Sequence, residues 1–166
     1  VVLAAGAVLT PGTVGLLAGA GAATVAVARP PRVAVLATGD EVVPAGTPLG
    51  PGQIWDANGP GLAAQVVAAG GRVEGAFRTG DTLAALRDAI RGCETADVLV
   101  FAGGVSMGDR DLVRDAVEAA GGAWKVWGVR QRPGKPMAVG VLDGRPVLGL
   151  PGNPVSAAVC FEVYGR

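Results

Sequence analysis

Val98-Leu99-Val100-Phe101-Ala102, followed by Gly103-Gly104-Val105-Ser106-Met107-Gly108-Asp109-Arg110-Asp111, decides the reading of this chain. Five apolar residues in a row predict a strand buried on both faces. The small-residue loop after it carries a hydroxyl and two carboxylates, and a helical pattern starts near Leu112. Glycines let a ligand approach the backbone. Exposed N–H groups suit an anion and the carboxylates suit a cation. Strand, loop and helix in this order point to a phosphate-bearing ligand handled with a metal at the end of a parallel strand.

The same alternation extends on both sides. Val33–Ala37 is a short apolar strand and Ile54–Asp56 a minor one. Asn58 is expected to cap a helix through Ala69, with Leu62 and Val66 on its inner face, and Gly70-Gly71 ends it. Val73–Phe77 is the next strand. Thr82 caps a helix in which Leu83, Leu86 and Ile90 share a face. Leu112–Ala120 is helical, Trp124–Val129 a strand, and Met137–Leu142 with Val147–Leu150 a hairpin turning at Asp143-Gly144. A last helix begins near Pro154. Apolar strands separated by helices predict an α/β fold of three α/β/α layers around a mostly parallel sheet.

Residues 1–28 carry no charge. Thr10-Pro11-Gly12-Thr13 breaks the run, and the rest is short and rich in Gly and Ala, which argues against a membrane span. A helix from Pro11 capped by Thr10, then a strand at Thr24–Ala28, is the better reading. Arg29-Pro30-Pro31-Arg32 marks the boundary. Residues 1–30 are thus expected to lead in from a neighbouring domain, and residues 31–166 to form the α/β domain. The chain begins at Val1 and ends in a helical pattern, as expected of a fragment truncated at its C-terminus.

Composition excludes several functions. The chain has 166 residues, with 14 Lys plus Arg against 14 Asp plus Glu, so no global basic field for nucleic acid exists. Aromatic residues make up only 4%, too few for a base-stacking surface. There is no histidine, which removes a Ser-His-Asp triad, a His base and His-ligated metal. Cys93 and Cys160 form no ligand motif and suit a reduced, cytoplasmic protein.

Chemistry-bearing residues recur at strand ends, where ligands bind in open α/β sheets. Thr38-Gly39-Asp40-Glu41 is either a polar turn or a ligand contact. Asp56 and Asn58 are either helix-capping residues or the rim of a cleft. Asp81 is either part of a simple cap or a metal ligand. Ser106 suits a phosphate, while Asp109 and Asp111 suit Mg2+, with Asp111 also placed to cap a helix. Arg130, Arg132 and Lys135 share a proline-stiffened loop that attracts oxyanions unless it is only a solvated basic turn. Gly152, Asn153 and Ser156 precede or open the last helix.

Six segments, Thr38–Glu41, Asp56–Asn58, Gly80–Asp81, Gly103–Asp111, Pro133–Pro136 and Leu150–Ser156, occur in the order and form of one family. Together they resemble the molybdopterin molybdenumtransferases, known as MoeA in bacteria and as the gephyrin E domain in animals. The resemblance covers residues 3 to 166 and implies the molybdopterin-binding (MogA/MoaB-like) fold shared with the molybdopterin adenylyltransferases. It implies an elongated homodimer with further domains, and an adenylyltransferase as pathway partner. The implied reaction inserts molybdenum from molybdate into adenylylated molybdopterin, with release of AMP and help from Mg2+. Glu41, Asp111 and Lys135 then take catalytic roles. Thr38, Gly39, Asp56, Asn58, Gly103, Gly104, Ser106, Gly108, Arg132, Pro136, Gly152, Asn153 and Ser156 bind substrate, and Asp81, Asp109 and Asp111 hold metal. Two rival readings are an adenylyltransferase using ATP and a non-catalytic molybdopterin-binding scaffold. Pro133-Gly134-Lys135-Pro136 and Leu150-Pro151-Gly152-Asn153-Pro154 favour the molybdenum-inserting branch over the first. Neither nucleic acid nor membrane is an expected partner.

Overall fold

The computed structural model describes residues 2–105 and 111–166. The strand that decided the reading, β5 (Val98–Ala102), lies inside a six-stranded sheet and spans the expected residues. It pairs in parallel with β1 (Arg32–Thr38) on one side and β8 (Arg145–Leu150) on the other, and β1 pairs in parallel with β4 (Arg72–Thr79). Two further strands, β7 (Ala138–Leu142) and β6 (Ala123–Trp127), extend the sheet antiparallel. The order is β4-β1-β5-β8-β7-β6. A small parallel ladder, β2 (Val42–Val43) with β3 (Ile54–Trp55), stands apart.

Period-two alternation in the central strands feeds two cores. Ala34, Leu36, Leu99 and Phe101 meet Leu86 and Ile90 of α3 (Leu83–Arg91) and Val113, Ala116 and Val117 of α4 (Leu112–Ala119). Val33, Val35, Val100 and Ala102 face the other way, against Leu62 and Val66 of α2 (Asn58–Ala68) and Ala157 and Cys160 of α5 (Pro154–Cys160). A π-helical turn at Phe161–Gly165 completes that layer. Both thiols are buried, and burial pushes each of them up. The hairpin turn falls at Asp143 and Gly144, both at positive φ, the geometry that joins β7 to β8 tightly.

Three local expectations are corrected. The α2 N-terminus is capped by Asp56, whose Oδ1 accepts from Gly59 N–H at 2.8 Å; Asn58 instead lies within the helix and reaches across to another loop. Thr24–Ala28 is not a strand, because no neighbouring strand offers it a ladder, and Val25 and Val27 remain exposed. Leu83 is 38% exposed and does not share the buried face of Leu86 and Ile90, since it occupies the first turn beside the cap. The helix α1 (Pro11–Gly19) does form, with a capping box between Thr10 and Thr13, but it buries none of its residues. Among the described residues no helix is long and apolar enough to cross a membrane.

The lead-in segment is anchored by charge. Arg29 donates two hydrogen bonds to the Asp97 carboxylate, at 2.5 and 2.7 Å. Arg32 adds its backbone N–H at 2.8 Å and its guanidinium. These donors hold the Asp97 carboxyl far below the usual carboxylate range.

Candidate functional site

The sheet register levels four strand ends: Thr79 sits beside Thr38, and Ala102 beside both Ala37 and Leu150. From β1 the chain moves outward to β4, then returns across β1 to β5. The connections therefore diverge between β1 and β5, and such a switch point opens a crevice beyond the carboxyl ends of the strands. A cleft of about 460 Å³ lies there. It is lined by Thr38, Gly39 and Glu41 after β1, Gly103 and Gly104 after β5, and Asp81 after β4. Asp56 and Asn58 close it from the start of α2, and Gly152 from the loop after β8.

Close backbone approach explains the glycines at the base. Gly103 and Gly104 have φ of +89° and +64°. A Cβ on Gly104 would stand 2.7 Å from Val113 Cγ2 and 2.8 Å from Thr38 Oγ1. Beneath them Thr38 is only 6% exposed, and its hydroxyl has no hydrogen-bond partner among the described residues. An orphaned buried hydroxyl is costly and rare, so this one marks the floor of the cleft. Asn58 Nδ2 donates to Gly152 O at 2.8 Å and ties the α2 wall to the β8 loop.

The acidic wall is ordered by its own backbone. Asp81 N–H donates to Asp40 Oδ1 at 3.0 Å, and Asp40 N–H to Asp81 Oδ2 at 3.4 Å. Loss of hydration pushes the Asp81 carboxyl up, and the charges of Asp40 and Glu41 push the same way, against the Asp40 N–H bond. No group of three or more His, Cys, Asp or Glu among the described residues is arranged to hold a metal ion. This donor set is no protein cage, but Mg2+ is commonly held by one or two carboxylates together with substrate phosphates. Glu41 and Asp81 on one cleft wall fit that arrangement.

Asp111 is placed otherwise. It is 5% exposed, and its Oδ1 accepts from Arg114 N–H at 2.9 Å as the cap of α4. It does not line the cleft, although Leu112 and Val113 do. Ser106, Gly108 and Asp109 fall outside the described residues.

The basic loop lies at the same end of the sheet but to one side. It joins β6 to β7, on the far side of β8 from the cleft. Arg132 and Lys135 are exposed there, and with Pro136, Asn153 and Ser156 they do not line the cleft. The acidic cleft and the basic loop are separated by the β8 end, because β7 and β6 lie beyond it. The loop packs on α5: Cys160 Sγ donates to Gly134 O at 3.8 Å, and Tyr164 Oη donates to Gln131 Oε1 at 2.8 Å. Both contacts lie at or beyond the end of α5 remote from its opening turn. Asn153 caps that turn, accepting from Ser156 N–H at 3.2 Å. Sequence reasoning missed Ile54, Trp55 and Pro154 in the cleft lining. The signal for Trp55 was its position next to Asp56, at the end of a minor strand.

Comparison with known proteins gives the family and the fold. Residues 34–166 match the family described as "Probable molybdopterin binding domain". The chain is 43% identical over 173 residues to molybdopterin molybdenumtransferase 2 of Mycobacterium tuberculosis, covering 99% of this chain and 42% of that protein. It is 40% identical over 162 residues to molybdopterin molybdenumtransferase of Haemophilus influenzae, covering 97% and 40%. The solved structure of the molybdopterin biosynthesis MoeA protein of Pyrococcus horikoshii superposes with a TM-score of 0.76 at 39% identity, over 93% of this chain and 38% of that one. The chain thus spans about two fifths of the length of the curated relatives it matches.

Proposed function

This chain belongs to the molybdopterin-binding domain family, and on that premise we propose that it carries the ligand cleft of a molybdenum-inserting transferase. Its substrates are adenylylated molybdopterin and molybdate, and its products are molybdenum cofactor and AMP. The observation that carries the reading is the buried Thr38 hydroxyl at the β1/β5 switch point, without a partner among the described residues, beneath Gly103 and Gly104 at positive φ. A folded protein keeps such a group against its cost when a ligand uses it.

The residues divide the work. Thr38, Gly39, Gly103, Gly104 and Gly152 seat the phosphate-bearing part of the substrate by close backbone approach. Asp56 and Asn58 hold the rim, the first by capping α2 and the second by its bond to Gly152. Arg132 and Lys135, with Pro136 and the Asn153–Ser156 turn, gather the dianionic molybdate beside the β8 end. Glu41 and Asp81 are the residues that would hold Mg2+ with the substrate phosphates. Mg2+ supplies charge neutralisation at the phosphoanhydride. Ser106 and Gly108 are substrate contacts and Asp109 a metal ligand, and Asp111 caps α4. Lys135 offsets the negative charge of the molybdate dianion at the basic loop.

In the whole protein we place this unit, with residues 1–30 as its lead-in, in a cytoplasmic homodimer that receives adenylylated molybdopterin from an adenylyltransferase. The test is product analysis. With molybdate and adenylylated molybdopterin, AMP appears only when molybdate is present, and Lys135→Ala raises the molybdate needed. Consumption of ATP with pyrophosphate release would instead assign the adenylylating step.

A further inference from the structure

Tryptophan is scarce here, and two of the three serve packing. Trp124 and Trp127 meet edge to face at 5.1 Å between ring centroids and pack on the core beside α4. Trp55 does neither. It is 53% exposed and lines the cleft from β3, next to Asp56. Its indole Nε1–H donates to Thr47 O at 2.8 Å. That bond uses the ring's one donor and fixes the ring against the 44–53 loop. β3 itself is tied down, since Ile54 N–H donates to Glu41 O and Asp56 N–H to Val43 O, each at 2.8 Å. What Trp55 has left to offer a ligand is a broad apolar surface, held in place before binding. An exposed aromatic costs hydrophobic free energy unless something covers it, and nothing in the described residues does.

The rest of the lining is part aliphatic, with Val42, Ile54, Leu112, Val113 and Pro154, and part polar, and Trp55 is the one aromatic ring in it among the described residues. Thr38, Glu41, Asp56, Asn58 and Asp81 give hydroxyl, carboxylate and amide groups, and the glycines give backbone. These suit phosphate, hydroxyl and amine substituents, and no described lining residue besides Trp55 offers an aromatic face. From this division we infer that Trp55 is a specificity-determining residue: its indole stacks on a planar nitrogen heterocycle of the substrate. The inference rests on the reading under Proposed function and adds the one contact that selects a ring. Two rings of that substrate have this chemistry, the adenine and the pterin. A pinned indole binds either at low entropic cost, because few rotamers are lost.

The test uses the 166-residue chain with AMP and 6-hydroxymethylpterin as separate probes, titrated by calorimetry. Wild type is compared with Trp55→Phe and Trp55→Leu. Phe keeps an aromatic face and lacks the N–H; Leu keeps apolar bulk and lacks the face. Stacking predicts that Leu weakens binding of one probe by roughly 5- to 50-fold, while Phe stays within a few-fold of wild type. The probe that loses affinity identifies the ring. Equal binding by all three proteins overturns the inference and leaves the proposed function standing. Equal losses in Phe and Leu also overturn it, since the tether to Thr47 would then be what matters. Failure of wild type to bind either probe overturns the proposed function and this inference with it.

Discussion

Replacing Thr38 by valine should make the protein more stable and a worse binder. Thr38 is 6% exposed, and its Oγ1 has no partner among the described residues. A buried hydroxyl without a hydrogen bond costs about 1–3 kcal/mol in proteins. Valine has nearly the same shape, so a methyl replaces the hydroxyl without opening a cavity. The positions of absent Cβ atoms show how close the surroundings are, with Gly104 at 2.8 Å and Gly103 at 3.0 Å from Oγ1. Crowding by the larger methyl takes back part of the gain, which leaves about 1–2 kcal/mol. For a domain of this size that is a rise in Tm of roughly 2–8 °C. Chemical denaturation and thermal unfolding measure it directly. Calorimetry with AMP supplies the second half: a lost hydrogen bond to a charged oxygen weakens binding by roughly 10- to 150-fold. Thr38→Ser keeps the hydroxyl and should keep the affinity. A Tm that falls or stays constant in Thr38→Val would refute the reasoning, because the hydroxyl would then be satisfied in solution.

Gly104→Ala should destabilise by about 2 kcal/mol or more, since φ is +64° and the new Cβ would meet Val113 Cγ2 at 2.7 Å; urea unfolding reads this. Asp56→Ala removes the α2 cap and should cost about 1 kcal/mol by the same measurement, whereas Asn58→Ala should cost less stability and loosen the bond to Gly152. Asp97 has a folded-state pKa held below its unfolded value, so its contribution is present above about pH 4 and is lost as pH falls below that. Asp97→Asn should therefore lower Tm at neutral pH, with the gap to wild type closing in acid. Cys93 and Cys160, buried and pushed up by that burial, should resist a thiol reagent at pH 7 until the chain is unfolded.

The central sheet was legible because its signals are local. Val98–Ala102 is apolar at every position, and only a strand covered on both faces uses such a run. Asp143-Gly144 encodes its turn in two residues. The errors lie where one residue's role depends on a distant partner. Asn58 has the chemistry of a cap, but Asp56 reaches Gly59 N–H, and the Asn58 amide goes to Gly152, far along the chain. Thr24–Ala28 has the composition of a strand, and strand formation needs a neighbour that pairing alone supplies. For the site, the glycines and acids at strand ends could be named one by one. Their convergence depended on strand order, which the sequence does not state. Trp55 escaped notice because exposure, not identity, makes it informative.

Strand order also explains why the basic loop and the acidic cleft are apart yet belong to one reading. The cleft sits over the ends of β1 and β5, and the basic loop joins β6 to β7. At ~4.8 Å between strands, that loop stands roughly 10–15 Å from the β5 end. A compact anion such as molybdate cannot touch both. A substrate carrying a fused ring, a phosphoanhydride and a nucleoside can span that distance, passing over Gly152 at the β8 end. Gly152 suits the crossing, since it is exposed, carries no side chain and has its carbonyl held by Asn58. A bulky residue there should separate the two halves functionally. Gly152→Leu should raise the molybdate needed for AMP release at least tenfold, by more than it weakens AMP binding through the lost backbone approach. Unchanged molybdate dependence in that variant would mean that the substrate does not cross the β8 end.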